Sequence, residues 1–138
     1  MDVSIKIPPY DNKDKPEINI QLHDYDTWSL DVTLAHIIVP CLQQLKDTAH
    51  SYMSISDDDV PEELRTGMTM EEENDGEHEH GLPKYYWVMD VMIWSFTQIR
   101  DHNFDYQEEI NMVEFVKHEE RIDHGVYLFG KYYRGLWD

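Results

Sequence analysis

The stretch KYYWVMDVMIWSFTQIR, residues 84–100, is apolar on nearly every side when wound as a helix. A helix of that kind needs neighbours over most of its surface, so it must lie in the core or against another subunit. The exception inside it is Asp90, which has Tyr86, Trp87, Met89, Ile93 and Trp94 around it at helical spacings. A carboxylate in that company has to be paired, hydrogen-bonded or neutralised. The expectation is a buried structural acid, with Arg100, Lys131 or Arg134 as the cation across the core.

The segments before it supply the neighbours. VSIKI and INIQL alternate apolar and polar residues with period two, placing Val3, Ile5 and Ile7, then Ile18, Ile20 and Leu22, on one face each. PPYDNKDKP between them is rich in turn-formers, and the pair reads as an N-terminal β-hairpin within residues 1–24. Two strands alone are only marginally stable, so they are expected to rest on helices. Asp26 or Thr27 then offers an N-cap. Leu30, Leu34, Ile37, Ile38, Cys41, Leu42 and Leu45 follow at helical spacing through about His50. Pro40 falls inside this helix of residues 28–50 and predicts a kink, since it donates no hydrogen bond and crowds the carbonyl of His36. Cys41 reads as a small buried hydrophobe.

At the other end, a run from about Gln107 to Trp137 carries Ile122, Val126, Phe129, Tyr133 and Leu136 in steps of four and three, a core stripe. Gly125 and Gly130 are unfavourable inside a helix, and imply either close approach of a neighbour or a break. Residues 51–83 show no such period. DDDVPEELR suggests a short helical turn, capped by Asp59 with Pro61 at the first position. The rest reads as a mobile acidic loop. The fold class is therefore mainly α, of α+β type. Three main helices (28–50, 84–102 and 107–137) pack with a short two-stranded hairpin and a long acidic loop in one domain of 138 residues.

The formal net charge is −18, and residues 51–80 carry eleven acids against one arginine, so −10 of it lies there. That balance disfavours direct binding to nucleic acid or to an anionic membrane. No apolar run approaches the roughly 20 residues that span a bilayer, and the N-terminus has no signal-peptide pattern. One cysteine excludes an internal disulfide and suits a reducing compartment.

Chemistry-bearing patterns are sparse. Asp31, at the edge of the first apolar stripe, and Asp90 share a Trp-x-x-Asp spacing with Trp28 and Trp87. The bland reading makes both acids structural, with Asp31 assisting its own helix start. The sharper one sets them at the floor of one polar pocket. Glu114 and His118, or Glu120 and Asp123, have helical spacing, but the partner motifs of helical pyrophosphohydrolases and di-iron bundles are missing. His78 and His80 alternate with glutamates without a supporting shell. No catalytic residue, metal centre or cofactor is expected. The aromatic C-terminus, YLFGKYYRGLWD, interleaves Lys131 and Arg134 with Tyr127, Tyr132, Tyr133 and Trp137, the residue types of interface hot spots. The candidate ligand-binding set is Trp28, Asp31, Trp87, Asp90, Lys131, Tyr132 and Arg134.

Four blocks, YDTWSLDVTLAHIIVPCLQQLK, DDDVPEELR, WVMDVMIWSF and LFGKYYRGLWD, resemble in sequence and order a family of small proteins of unassigned function encoded by tailed bacteriophages. The resemblance covers residues 25–138 and carries no catalytic residues with it. It implies a viral accessory protein in the cytoplasm of a bacterial host. The expected partner is a host protein or a small nucleotide-type ligand, as in counter-defence, and homo-oligomers are expected. The alternatives are a metal-dependent nucleotide hydrolase using Asp31, Asp90, Glu114 and Glu120, and an acidic DNA mimic.

Overall fold

In a computed structural model, the protein is mainly helical, as its periodicities predict. The structure describes residues 1–6, 17–73, 80–101 and 111–137. The order is β1 (Asp2–Lys6), β2 (Glu17–Gln21), α1 (Leu30–Thr48), α2 (Met70–Glu73), α3 (Leu82–Asp101) and α4 (Met112–Tyr132), with one 3-10 turn before α1, two between α1 and α2 and one after α4. The PPYDNKDKP turn, His78 and the expected helix start near Gln107 lie outside the described residues.

The hairpin is antiparallel, with Val3 opposite Ile20 and Ile5 opposite Ile18. Ile20 and Leu22, read as inward positions, are about half exposed, so this end of β2 does not rest on the helices as expected. The chain is tied down just beyond it. The buried Asp26 accepts a hydrogen bond from the His23 N–H at 2.9 Å and pairs with the N-terminal amine at 3.3 Å. Residues Asp24–Thr27 thereby form a 3-10 turn of their own, and α1 starts later than the sequence suggested, after Ser29.

The apolar helix α3 is the middle element. Both α1 and α4 pack along it rather than against each other. Val88, Met89 and Met92 of α3 have no exposed surface, and they meet Ala35, Val39 and Leu42 of α1 and Leu128 of α4. Each of the valine, leucine and methionine side chains among them contributes about 1.5–3 kcal/mol of burial. Phe96 stacks edge-on against Phe129 across the α3–α4 contact, ring centres 4.8 Å apart. The closest approach is at Gly125, where a Cβ atom would fall 1.8 Å from Ser95 Oγ. Gly130 has open space around it, and α4 runs unbroken past both glycines. Its start is capped by Asn111, whose Oδ1 accepts from the Val113 and Glu114 N–H groups.

The inward faces differ from the sequence reading in two helices. On α1 the buried row is Ala35, Val39 and Leu42, while Leu30, Leu34 and Cys41 are exposed. On α4, Gly125 and Leu128 point inward and Val126 does not, nor does Tyr133 just beyond its end. The cause is the same in both. Each helix meets α3 along one narrow strip, and of its remaining apolar surface part faces a cleft between α1 and α4 and part, with Leu30, Leu34 and Val126, faces solvent. That cleft, of about 300 Å³, is lined by Ile37, Cys41 and Leu45 from α1 and by Phe129, Tyr133 and Leu136 from the C-terminus.

Candidate functional site

The polar heart of the molecule is not where the two conspicuous aspartates sit. Asp90 is exposed and pairs with Lys46, its Oδ1 2.5 Å from Nζ. None of the three cations expected for it is used. The apolar residues around Asp90 in sequence occupy the rest of the helix circumference, and its own side faces outward beside Tyr86, which is 41% exposed. Asp31 is also exposed, in the first turn of α1. Lys46 is fifteen residues further along the same helix, a separation of about 22 Å. The two acids therefore do not share a pocket. Trp28 is 83% exposed, Trp87 is half-buried against the core, and Arg134 is exposed in the 3-10 turn Tyr133–Gly135. Of the candidate set, the structure brings together only Lys131 and Tyr132.

Those two belong to a network that the sequence hid in its acidic segment. Residues 51–73, read as part of a mobile loop, instead form two 3-10 turns and the short α2, docked by the buried Ile55 and Val60. Asp57 is the hub. Its Oδ1 accepts from Lys84 Nζ at 2.9 Å and from the Thr66 N–H at 3.1 Å, and its Oδ2 from the Gly67 N–H at 2.9 Å. Gly67 has φ +65°, a conformation that side chains disfavour, which turns its N–H toward the carboxylate. Arg65 Nε closes the same turn by donating to the carbonyls of Asp57 at 3.1 Å and Val60 at 3.4 Å. Ser56 caps the first of these turns; the second, Glu62–Leu64, is the helical turn expected in DDDVPEELR, but it starts after Pro61 with no side-chain cap, so Asp59 does not cap it.

Lys84 is 2% exposed and pairs also with Glu73, 3% exposed at the end of α2. Glu73 accepts in addition from Thr66 Oγ1 at 2.5 Å. Helix α2 is short, and a reciprocal capping box stabilises its start: Thr69 Oγ1 accepts from the Glu72 N–H, and Glu72 Oε2 accepts from the Thr69 N–H. On the far side, Tyr132 donates its hydroxyl hydrogen to Asp59 Oδ2 and accepts from the Ser56 N–H at 3.0 Å. Lys131 reaches the same Asp59 oxygen at 2.6 Å. The segment is thus clamped to the first turn of α3 and the last turn of α4.

The electrostatics follow from these contacts. The Lys84 hydrogen bond, then the Thr66 and Gly67 N–H groups, hold the Asp57 carboxyl down at about 2. Burial alone would lower the Lys84 ammonium, but Glu73 and Asp57 more than offset it and raise it. Burial would likewise raise Asp59, and Lys131 and Tyr132 outweigh it, leaving this carboxyl low. Burial and the hydrogen bond to Asp59 push the Tyr132 phenol up to about 12.

Between these groups lies a cavity of about 480 Å³, bounded by Ser56, Asp57, Met68, Glu73, Lys84 and Tyr132. Both of its lysines are already held by carboxylates, so a phosphate entering it would compete with ion pairs in place. Among the described residues, no three histidine, cysteine or carboxylate side chains converge as metal ligands, and Asp31, Asp90, Glu114 and Glu120 are each exposed. The carboxylates left facing solvent on the clamped segment are Asp58, Glu62, Glu63 and Glu71. Two sequence signals pointed to the network: the Thr69-x-x-Glu72 capping pattern, and Lys84 as the first cation after a long run of acids. Among the described residues, no helix is long and apolar enough to cross a membrane. No protein-family model, curated protein or solved structure matches the chain.

Proposed function

We propose that this protein is a non-enzymatic binder that blocks another protein by covering its basic surface. The observation that carries this reading is the clamped acidic segment. Asp58, Glu62, Glu63 and Glu71 stand in solvent on turns that Asp57, Asp59 and Glu73 fasten to α3 and α4. Carboxylates held on fixed backbone recognise a cationic surface with less ordering loss than the same charges on a free chain. A net charge of −18 also speeds the encounter with a basic partner at low salt. Nucleic-acid-binding proteins present such surfaces, so DNA mimicry is the form of blocking that fits best. That the partner is a bacterial host protein rests on the resemblance to phage proteins.

A small nucleotide-type ligand in the cavity beside Lys84 is the weaker reading, because the cations there are committed to Asp57, Glu73 and Asp59. The deciding experiment immobilises the wild type and a variant with Asp58→Asn, Glu62→Gln, Glu63→Gln and Glu71→Gln, and passes bacterial lysate over both. The wild type is expected to retain a nucleic-acid-binding protein that salt or added DNA displaces. The variant, equally helical, is expected to lose it. Retention that ignores salt and survives the four changes would remove this function.

A further inference from the structure

We propose that a second copy of this chain covers the cleft between α1 and α4, the two α1 helices lying side by side about a two-fold axis. This inference is independent of the acidic segment and rests on the opposite kind of surface. Leu30 and Leu34, each 45% exposed, continue through Ile37 to the exposed Cys41 as one row along α1. Across the cleft stands Tyr133, 62% exposed, and Trp137 follows Leu136 of the same wall in sequence, 65% exposed. Together these side chains leave on the order of 500 Å² of apolar surface in water, in the upper part of the range for a monomer's largest patch, where such patches often serve as contact surfaces. With a surrounding rim it approaches the roughly 800 Å² that each partner gives to a stable interface.

Charge selects the occupant. From Val32 to Leu45 the sequence has no Asp, Glu, Lys or Arg, its longest such run, in a chain of net charge −18. A basic partner is drawn to the acidic surfaces and gains nothing here. Two equally acidic copies repel wherever their carboxylates meet, and this uncharged stretch of α1, between Asp31 and Lys46, lets them touch with less of that penalty. The row and the cleft belong to the same helix edge, so each copy offers the ridge that the other's cleft receives. That is the self-complementarity a two-fold contact requires.

Sedimentation velocity over a range of concentrations, combined with linking by a short bismaleimide, tests the proposal, because Cys41 is the one thiol in the chain and lies on the proposed contact. The wild type is expected to have twice the monomer mass and to link through Cys41. Leu34→Glu and, separately, Tyr133→Glu are expected to give monomers with unchanged far-ultraviolet circular dichroism and no link. Both positions are exposed, so neither change needs to disturb the core. A wild type that stays monomeric at every concentration overturns the proposal. So does a dimer that persists in both variants without a Cys41 link. A monomer whose cleft takes up a foreign protein, lost in Leu34→Glu, overturns it in favour of a different occupant.

Discussion

Ser95 of α3 and Gly125 of α4 lie so close that a Cβ atom on Gly125 would stand 1.8 Å from Ser95 Oγ and 2.4 Å from its Cβ. The serine uses the proximity, donating its hydroxyl to the Arg121 carbonyl at 3.3 Å. Gly125→Ala must push the two helices apart, and overpacking of this kind costs about 1–3 kcal/mol even after the helix-propensity gain. Urea denaturation of Gly125→Ala is expected to show that loss, and Ser95→Gly in the same chain to restore part of it. Gly130→Ala, with open space around it, is expected to gain about 0.5–1 kcal/mol.

Lys84 and Glu73 are both buried, so removing one strands the other. Lys84→Met is expected to destabilise by about 3 kcal/mol, the usual result of breaking a buried pair. Lys84→Met with Glu73→Leu is expected to be less damaging than Lys84→Met alone, because the buried Glu73 charge is no longer stranded, while the partly exposed Asp57 keeps the Thr66 and Gly67 N–H groups. A thermal-melt comparison of the wild type and these two variants decides it; a double variant no more stable than Lys84→Met alone would contradict the pairing.

Stability should bend at both ends of the pH range. Asp57 titrates at 3.8 in an ordinary chain and at about 2 here. The unfolded state thus binds the proton first, and the stabilisation is full above about pH 4 and lost as pH falls toward 2. Tyr132 has the opposite sign: its phenol moves from 10.0 up to about 12. Its contribution is complete below pH 10 and lost as pH rises through about 12. Denaturant midpoints measured across pH should flatten on the acid side in Asp57→Asn and on the alkaline side in Tyr132→Phe.

Asp90→Asn is expected to change stability by less than about 1 kcal/mol, since its pair with Lys46 is solvent-exposed. Denaturation at low and high salt gives a second check, with the wild-type advantage shrinking as salt rises.

The three helices were legible because burial against α3 imposes a period on the sequence. Which way α1 and α4 face was not. Cys41 and Tyr133 have the spacing of core residues, but period alone does not distinguish a strip that meets α3 from one that faces a cleft. Asp90 misled for a related reason: its apolar neighbours in sequence surround it on the helix and not in space. Of the clamped segment only the helical turn in DDDVPEELR was legible; the rest was not, because hydrogen bonds fix it, not a periodic apolar face. Asp57 joins residues 66, 67 and 84 by contacts that leave no repeat for a reader to find. Lys131 and Tyr132 were picked for their chemistry and do stand together, but they hold Asp59 rather than an open ligand site.

The central placement of α3 has a consequence for how the chain emerges from the ribosome. Helix α1 is finished at Thr48, yet the surface it packs on is not complete until Asp101. At about 5–20 residues per second, the intervening fifty or so residues take several seconds to synthesise. Throughout that interval Ala35, Val39 and Leu42 lack the full set of α3 side chains that covers them in the folded protein. The nascent protein therefore carries its most apolar unsupported helix early, and α1 is where a chaperone or a premature contact between neighbouring nascent chains would first take hold.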